Sequence, residues 1–427
     1  EIPALTVLSV RYRITDIERI ISQHAIYLFY NANAYLTVSG RFYLKPEVAL
    51  GADHSLPALT GLRGLAALWV LIYHAWVYVT PQEILLDVLG STIRVHTFFS
   101  LGWSAVQLLF VLSGFLLTLP YARANAGLAP RPALFRYFVK RISRVFPAYY
   151  LQLLVLVLIA WMVSREWLVD LTNLFQYLLM LFVPPPIGIG SPWSLNGVWW
   201  TLPIELSFYL VLPLLSPLAC RRHKVLLIVV SMLSMACWRW YVLGVLDPVS
   251  QLPVWAYQLP GSMDTFGLGM LGAVIHVQYS EQQERFAQYQ KWLTGLLCLT
   301  PFIFVFLGIW MADDYETYWT MSSIFFLWTP IFGSAVLIVI LNCAQNQWLT
   351  NKLLANRIVF YLGTISYGVY LWHAPIGRWL LDTPLIASME GYQFPRMALL
   401  MFCGSFLLAS ISWYLVEARA IALARKK

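Results

Sequence analysis

Charged side chains are scarce in this chain. Asp, Glu, Lys and Arg make up 11% of its 427 residues, 60% are hydrophobic, and mean hydropathy is +0.68. Soluble domains carry about 25% charged residues, so this composition excludes an ordinary water-soluble domain. Cysteine is thin as well: Cys220, Cys237, Cys298, Cys343 and Cys403 are scattered through or beside apolar stretches, with no CxxC pair. Neither a metal site nor a disulfide framework is indicated, and these thiols are expected to pack as small apolar side chains. A Walker sequence, a GxSxG elbow and HExxH are all missing, which removes support for nucleotide hydrolysis, serine-hydrolase and zincin chemistry. Acidic residues number 20 against 28 basic, for a net charge of +8. The excess sits in short loops between apolar spans, as the positive-inside rule requires, so no nucleic-acid partner is expected.

What the chain has instead is a series of long apolar runs. Ten are of near-spanning length: 65–80, 98–122, 145–163, 197–219, 224–243, 254–278, 292–312, 320–343, 358–380 and 395–417. An all-α, polytopic membrane helix bundle of about ten transmembrane helices is therefore expected, with 19 Trp and 24 Tyr available for interfacial belts and membrane lipid as surroundings. A further run, 168–183, reads as a helix lying against the outer face, because Pro184, Pro185 and Pro186 end it. Residues 1–54 are more polar and read either as an N-terminal pre-segment on the cytoplasmic side or as sequence upstream of the true start; Ala25 to Val38 lacks the features of a signal peptide. Residues 55–418 form the membrane region and 419–427 a short basic tail.

Charge orients the bundle. Arg123, Arg131, Arg136, Lys140, Arg141 and Arg144 cluster between spans two and three, and later loops of the same parity hold Arg221, Arg222, Lys224, Arg285, Lys291, Lys352 and Arg357. This asymmetry predicts cytoplasmic termini at both ends. Arg63 then sits at the cytoplasmic edge and His74 towards the outer half.

Arg63 and His74 are eleven positions apart within RGLAALWVLIYH. At ~100° per residue they share a helix face, about 16 Å apart. An imidazole at that depth is a candidate functional group; a bundle histidine and an arginine snorkelling to lipid phosphate would give the same pattern. Glu205 lies in WWTLPIELSFYL, where an unpartnered carboxylate is expensive, and Pro203 is expected to break the local helix and free a carbonyl. A neutral carboxyl bonded to a neighbouring helix is the alternative. Arg141 and Arg144, three apart in KRISRVFPAYY, can clamp phosphates or anchor lipid headgroups. Ser113 and Gly114 permit close backbone approach. Tyr367, Tyr370 and His373 lie near the outer end of the ninth span, as an aromatic belt or as a polar wall for an acceptor. Asp264, Arg239 and His276 read as structural.

In order along the chain, LPALTGLRGLAALWVLIYHA, GWSAVQLLFVLSGFLL, KRISRVFPAYYLQ, WWTLPIELSFYLVLPLL and SYGVYLWHAPI resemble elements of the acyltransferase-3 family. The resemblance spans roughly residues 56–417 and gives Arg63, His74, Ser113, Arg141, Arg144, Trp200, Thr201 and Glu205. It departs at Gln107–Leu108–Leu109, where the family tends to a polar residue and two Phe. It implies no permanently bound cofactor, an acyl-CoA donor, most often acetyl-CoA, and a hydroxyl acceptor on a surface glycan or metabolite. The membrane would be the bacterial cytoplasmic (inner) one, with glycan-synthesis proteins as companions. On that reading His74, Glu205 and Arg63 are catalytic, Arg63, Arg141 and Arg144 bind the donor, and Tyr367, Tyr370, His373, Trp200 and Ser113 face the acceptor. His74 acts as general base or takes the acyl group transiently, and Glu205 is expected to orient it. The C-terminal extracytoplasmic domain that some members use to finish transfer is not seen, so the core is expected to transfer alone or hand the group on. The competing class is a transporter or flippase for a glycan precursor, since many spans and buried charges also mark transporters.

Overall fold

Pro57 occupies the first position of the first long helix, where its missing N–H costs nothing and its fixed φ favours the start. The helix therefore begins eight residues before the expected span at Leu65, and Arg63 lies in its second turn, inside the helix. The computed structural model describes residues 56–79, 85–88, 91–94, 96–163, 174–180, 195–245, 255–280, 283–319, 322–345, 348–381, 383–387 and 393–425. The chain divides into units 1–49 and 50–427, and the expected pre-segment 1–54 lies outside the described residues.

The second unit runs α1 (Pro57–Tyr78), hairpin strands β1 (Leu85–Val88) and β2 (Ser91–Arg94), α2 (Ala105–Asn125), α3 (Leu134–Val163), α4 (Thr201–Leu215) and α5 (Lys224–Val245). It continues through α6 (Met263–Ser280), α7 (Gln283–Trp319), α8 (Ser323–Ala344), α9 (Arg357–Leu381) and α10 (Gln393–Ser412). Short helical pieces from His96 to Ser104 lead into α2, and Gly197–Trp200 leads into α4. A π-helical turn, Trp413–Glu417, joins α10 to a last helix, Ala418–Arg425, which takes up the basic tail. The antiparallel hairpin, pairing Leu85 with Arg94, was not expected from the sequence. Of the outer-face segment 168–183, Leu174–Leu179 is helical and Pro184–Pro186 lie outside the described residues.

Among the described residues, eight helical stretches are long and apolar enough to cross a membrane. The two remaining expected spans are present as α6 and α9, which carry Asp264, His276, Thr364, Ser366 and His373 and are buried along most of their length. Their polar content is tolerable because neighbouring helices screen them from lipid. Pro203 does not break α4: it is the third residue, where the N–H has no intrahelical partner, and its carbonyl accepts from Ser207 Oγ at 2.7 Å. Of the five cysteines only Cys343 is buried; Cys237, Cys298 and Cys403 lie exposed on their helices and Cys220 is half-buried, against the expectation of general packing.

Two glycine contacts set the spacing of the bundle. A Cβ on Gly64 would stand 2.6 Å from the Gly363 amide nitrogen, and one on Gly363 would overlap the Thr60 carbonyl oxygen. α1 and α9 thus touch backbone to backbone. Gly61 meets Leu354 below this point, and Tyr78 donates to the Ala374 carbonyl above it, so the two helices run parallel. Gly114 and Gly269 bring α2 and α6 together likewise: added Cβ atoms there would meet Phe266 and Val111 carbonyls. The packing role expected for Ser113–Gly114 is the one Gly114 plays.

Gly64→Leu is expected to destabilise the protein by about 1–3 kcal/mol or more through overpacking. Gly295→Ala, where an added Cβ meets nothing within 4 Å, is expected to leave it unchanged or slightly more stable. Thermal unfolding in detergent checks this; equal midpoints for Gly64→Leu and wild type would remove the contact from the argument.

Candidate active site

His74 lies ten residues beyond Gly64, and His373 ten beyond Gly363. Because the helices are parallel, equal offsets from the glycine contact bring the two rings together. Their centroids are 4.9 Å apart, and His373 Nε2 is 3.2 Å from His74 Nδ1. Each Nδ1 also faces the carbonyl four residues back, Val70 at 2.9 Å and Val369 at 3.3 Å. A carbonyl only accepts, so both Nδ1 atoms carry the proton in the neutral pair. His373 Nε2 is then an acceptor, the His74 Nδ1–H is shared between it and Val70, and His74 Nε2 keeps its lone pair. In this tautomer the open lone pair of the dyad is the one on His74 Nε2.

Next to it is a polar patch made by a proline. Pro375 has no N–H for the Leu371 carbonyl. That oxygen accepts instead from Gln152 Nε2 of α3 at 2.6 Å and Asn196 Nδ2 at 3.0 Å. Gln152 Oε1 in turn accepts from Trp199 Nε1 at 2.8 Å and Asn196 Nδ2 at 3.2 Å. One turn below His373, the Tyr370 hydroxyl meets Thr201 Oγ1 and the Val198 carbonyl, each at 3.0 Å. Gln152, Asn196 and Thr201 are fully or nearly fully buried. The sequence signal for Gln152 is a lone amide inside LQLLVLVLIAWMV; Asn196 is marked only as a cap for the turn after it.

The other end of α1 is charged. Glu205 Oε1 accepts from Tyr209 Oη at 2.6 Å and Ser113 Oγ at 3.1 Å, and interacts electrostatically with Arg63 and Arg141. The expected contact between Glu205 and His74 is not made: Glu205 belongs to the arginine end, and the partner of His74 is His373. Arg144, one turn beyond Arg141 on α3, faces a carboxylate that sequence reading missed. Glu417, 3% exposed in the π-helical turn, accepts from Ser412 Oγ at 2.8 Å and lies within electrostatic reach of Arg144. Such turns recur at functional sites, but no pattern in the sequence announces this one. Three guanidiniums face two carboxylates, leaving an excess of positive charge for an anion.

The remaining expected residues divide. Tyr367 donates to the Val145 carbonyl at 3.1 Å, beside Arg144, so it belongs with the charged end. Tyr370 and His373 stand at the dyad, 6% and 0% exposed; the three do not form an interfacial belt. Trp200 packs on Tyr257, centroids 5.8 Å apart. Arg239 and Asp264 form a fully buried ion pair at 3.9 Å, with Thr329 bridging them and the Arg239 guanidinium over the Phe325 ring. That is a clamp between α5, α6 and α8, as their structural reading expected.

The profile of the family described as Acyltransferase domain matches residues 56–415. The chain is 27% identical over 317 residues to a putative acetyltransferase of Acidianus two-tailed virus, covering 74% of this chain and 82% of that protein. It is 25% identical over 384 residues to nodulation protein 10 of Rhizobium leguminosarum bv. viciae, covering 85% and 92%. It is 24% identical over 383 residues to the peptidoglycan O-acetyltransferase of Listeria monocytogenes, covering 85% of this chain and only 55% of that protein, so it spans about half the length of that relative. No solved structure matches it.

Pro213 leaves the Tyr209 carbonyl without a backbone partner, and Tyr137 Oη donates to it at 3.2 Å. Tyr137→Phe is expected to destabilise by about 1–3 kcal/mol by orphaning that oxygen. Adding Pro213→Ala restores a backbone N–H and should recover most of the loss. A double-mutant cycle of unfolding midpoints tests this, and purely additive losses would refute it.

Proposed function

The chain belongs to the Acyltransferase domain family, and from that premise we propose that it moves an acyl group, acetyl in the first instance, from cytoplasmic acyl-CoA to a hydroxyl of a cell-surface glycan. As a family member it is an acyltransferase, and its long apolar helices make it an integral membrane protein. The observation that carries the finer reading is the histidine dyad, with the lone pair of His74 Nε2 left open about 16 Å along α1 from Arg63.

The donor's phosphates bind Arg63, Arg141 and Arg144 by charge-assisted hydrogen bonds. Its pantetheine arm runs along α1 and presents the thioester at His74. The acceptor hydroxyl gives its proton to His74 Nε2 as its oxygen attacks the thioester carbonyl carbon. The tetrahedral adduct then collapses: the C–S bond breaks, its electron pair leaves with sulfur, and the proton on Nε2 passes to that sulfur as free CoA forms. While His74 is cationic, its Nδ1–H bond to the neutral His373 Nε2 strengthens, so His373 does here what a carboxylate does in a triad. Glu205 and Glu417 hold the arginines in place and limit their mutual repulsion.

On this reading the donor side and both termini lie on the cytoplasmic face of a bacterial inner membrane, a topology supported by the excess of basic residues in the loops on that side. The acceptor is a glycan or its lipid-linked precursor, such as lipopolysaccharide, exopolysaccharide or peptidoglycan; the Listeria relative is named for action on the last.

His74→Ala is expected to abolish transfer of radiolabel from acetyl-CoA to an acceptor in inverted membrane vesicles. His373→Gln should lower kcat by roughly 10²-fold, within the range for disabling general base catalysis, with little change in the KM for acetyl-CoA. Full activity in His74→Ala refutes the mechanism, and uptake of an intact solute without covalent label identifies a transporter. Arg144→Glu should raise the KM for acetyl-CoA, and an unchanged value leaves that arginine a lipid anchor.

A further inference from the structure

We propose that the nucleotide half of the donor has its own pocket, separate from the arginine cluster, between the end of α2, the turn after α4 and the end of α6. The proposal rests on the donor reading above. A cavity of about 140 Å³ opens there, lined by Ala122 and Asn125 of α2, Ala219, Cys220 and Arg221 of the turn, and Gln278 of α6. Small alanine side chains leave flat apolar walls, which suit a planar heteroaromatic ring. Asn125 spends its Nδ2 hydrogens on the Ser216 and Ala219 carbonyls at 2.8 and 2.9 Å. Its Oδ1 and the half-buried Gln278 amide remain to pair with the edge of a base. Arg221 is exposed at the mouth, as a phosphate partner requires.

A second observation ties this cavity to the arginine cluster. One residue before Ala122, Tyr121 is 1% exposed, and its hydroxyl has no hydrogen-bond partner. The Nε of Arg141 is buried and equally unpartnered. Tyr121 interacts electrostatically with both Arg141 and Arg131. Two buried donors left unspent within electrostatic reach of each other are costly and call for an acceptor. A diphosphate oxygen supplies one. From Ser113, which bonds Glu205, to Ala122 is nine residues of α2, about 13 Å. The succession of base pocket, arginine cluster with Tyr121 at its edge, α1 and dyad therefore follows the order of base, diphosphate, arm and thioester in acyl-CoA.

Cys220 gives a direct readout, since its half-buried thiol lines the pocket. In the full chain with Cys237, Cys298 and Cys403 replaced by Ser, a membrane-impermeant maleimide should modify Cys220 in inverted vesicles. Saturating adenosine 3′,5′-bisphosphate is expected to slow this modification by at least about fivefold. Ala122→Phe, which fills the cavity, should raise the KM for acetyl-CoA about tenfold and leave turnover of S-acetylpantetheine, which lacks the nucleotide, unchanged. Gln278→Leu should act in the same direction, and covers the case in which the phenylalanine prevents folding. Unchanged labelling with bisphosphate, or equal effects of both variants on the two donors, overturns the pocket while transfer from acetyl-CoA continues. Protection by inorganic phosphate to the same extent would mean that an anion alone is recognised, and overturns the base pocket. If wild-type membranes transfer nothing from acetyl-CoA, the donor reading has failed and the pocket falls with it.

Discussion

The contact between Gly64 and Gly363 is the constraint on which the site depends. Side chains of ordinary size at either position would push α1 and α9 apart, because each faces backbone and not a flexible side-chain end. In a membrane, helices gain little by burying apolar surface against one another, so close approach has to come from small residues and hydrogen bonds. Here the close approach also sets register. Parallel helices pinned at one level carry residues ten positions further on to a common level, and those residues are His74 and His373. Arg63, adjacent to the pin, is fixed at the other level by the same contact. One backbone contact thus sets both the distance between the imidazoles and their height above the guanidinium.

Prolines supply most of the remaining polarity. Every turn of a membrane helix normally consumes its own carbonyls, so a polar interior must be built from exceptions. Pro213 and Pro375 each leave one carbonyl without its N–H, and each carbonyl draws side chains from α3: Tyr137 to Tyr209, and Gln152 to Leu371. The two bonds fix α3 at the charged end and at the dyad end. Arg141 and Arg144 lie between Tyr137 and Gln152 on that helix, so they are held in place by bonds at either side. The arginine cluster and the histidine dyad are accordingly parts of one braced frame made from α1, α3, α4 and α9.

The legible part of this site was what lies within one helix. The Arg63–His74 spacing, the Arg141–Arg144 pair and the burden of a carboxylate at Glu205 all follow from helix geometry and the cost of burying charge. The spans followed from apolar length, and α6 and α9 strained that criterion because their polar residues are the ones the bundle shelters. What could not be read were contacts between distant segments. His74 and His373 are 299 positions apart, and a histidine beside a tyrosine near a helix end reads equally well as a belt. The partner of Glu205 is hidden for the same reason: its depth in α4 is legible, but which level of α1 it faces is not. Glu417 lies in a turn whose π-helical winding no composition rule anticipates. Pro203 shows how position decides: three residues later it would break the helix, and at the third residue it does not.

The separation of charge along α1 also explains why the dyad contains no carboxylate. A neutral imidazole pair can be buried with its hydrogen bonds satisfied, whereas a histidine–carboxylate pair would put ionised groups in a low-dielectric interior where desolvation offsets much of their attraction. The carboxylates are found instead where cations already stand, and there they keep three guanidiniums from repelling one another while leaving a surplus to attract an anion. A neutral acceptor hydroxyl meeting a neutral dyad needs no counter-charge until the proton moves. In the proposed mechanism the positive charge on His74 and the negative charge on the tetrahedral oxygen arise together and close to each other, so each stabilises the other more than it would in bulk water. A neutral pair at depth and a charged cluster at the entrance are thus two solutions to one problem, keeping net charge out of the membrane interior except during the step that creates it.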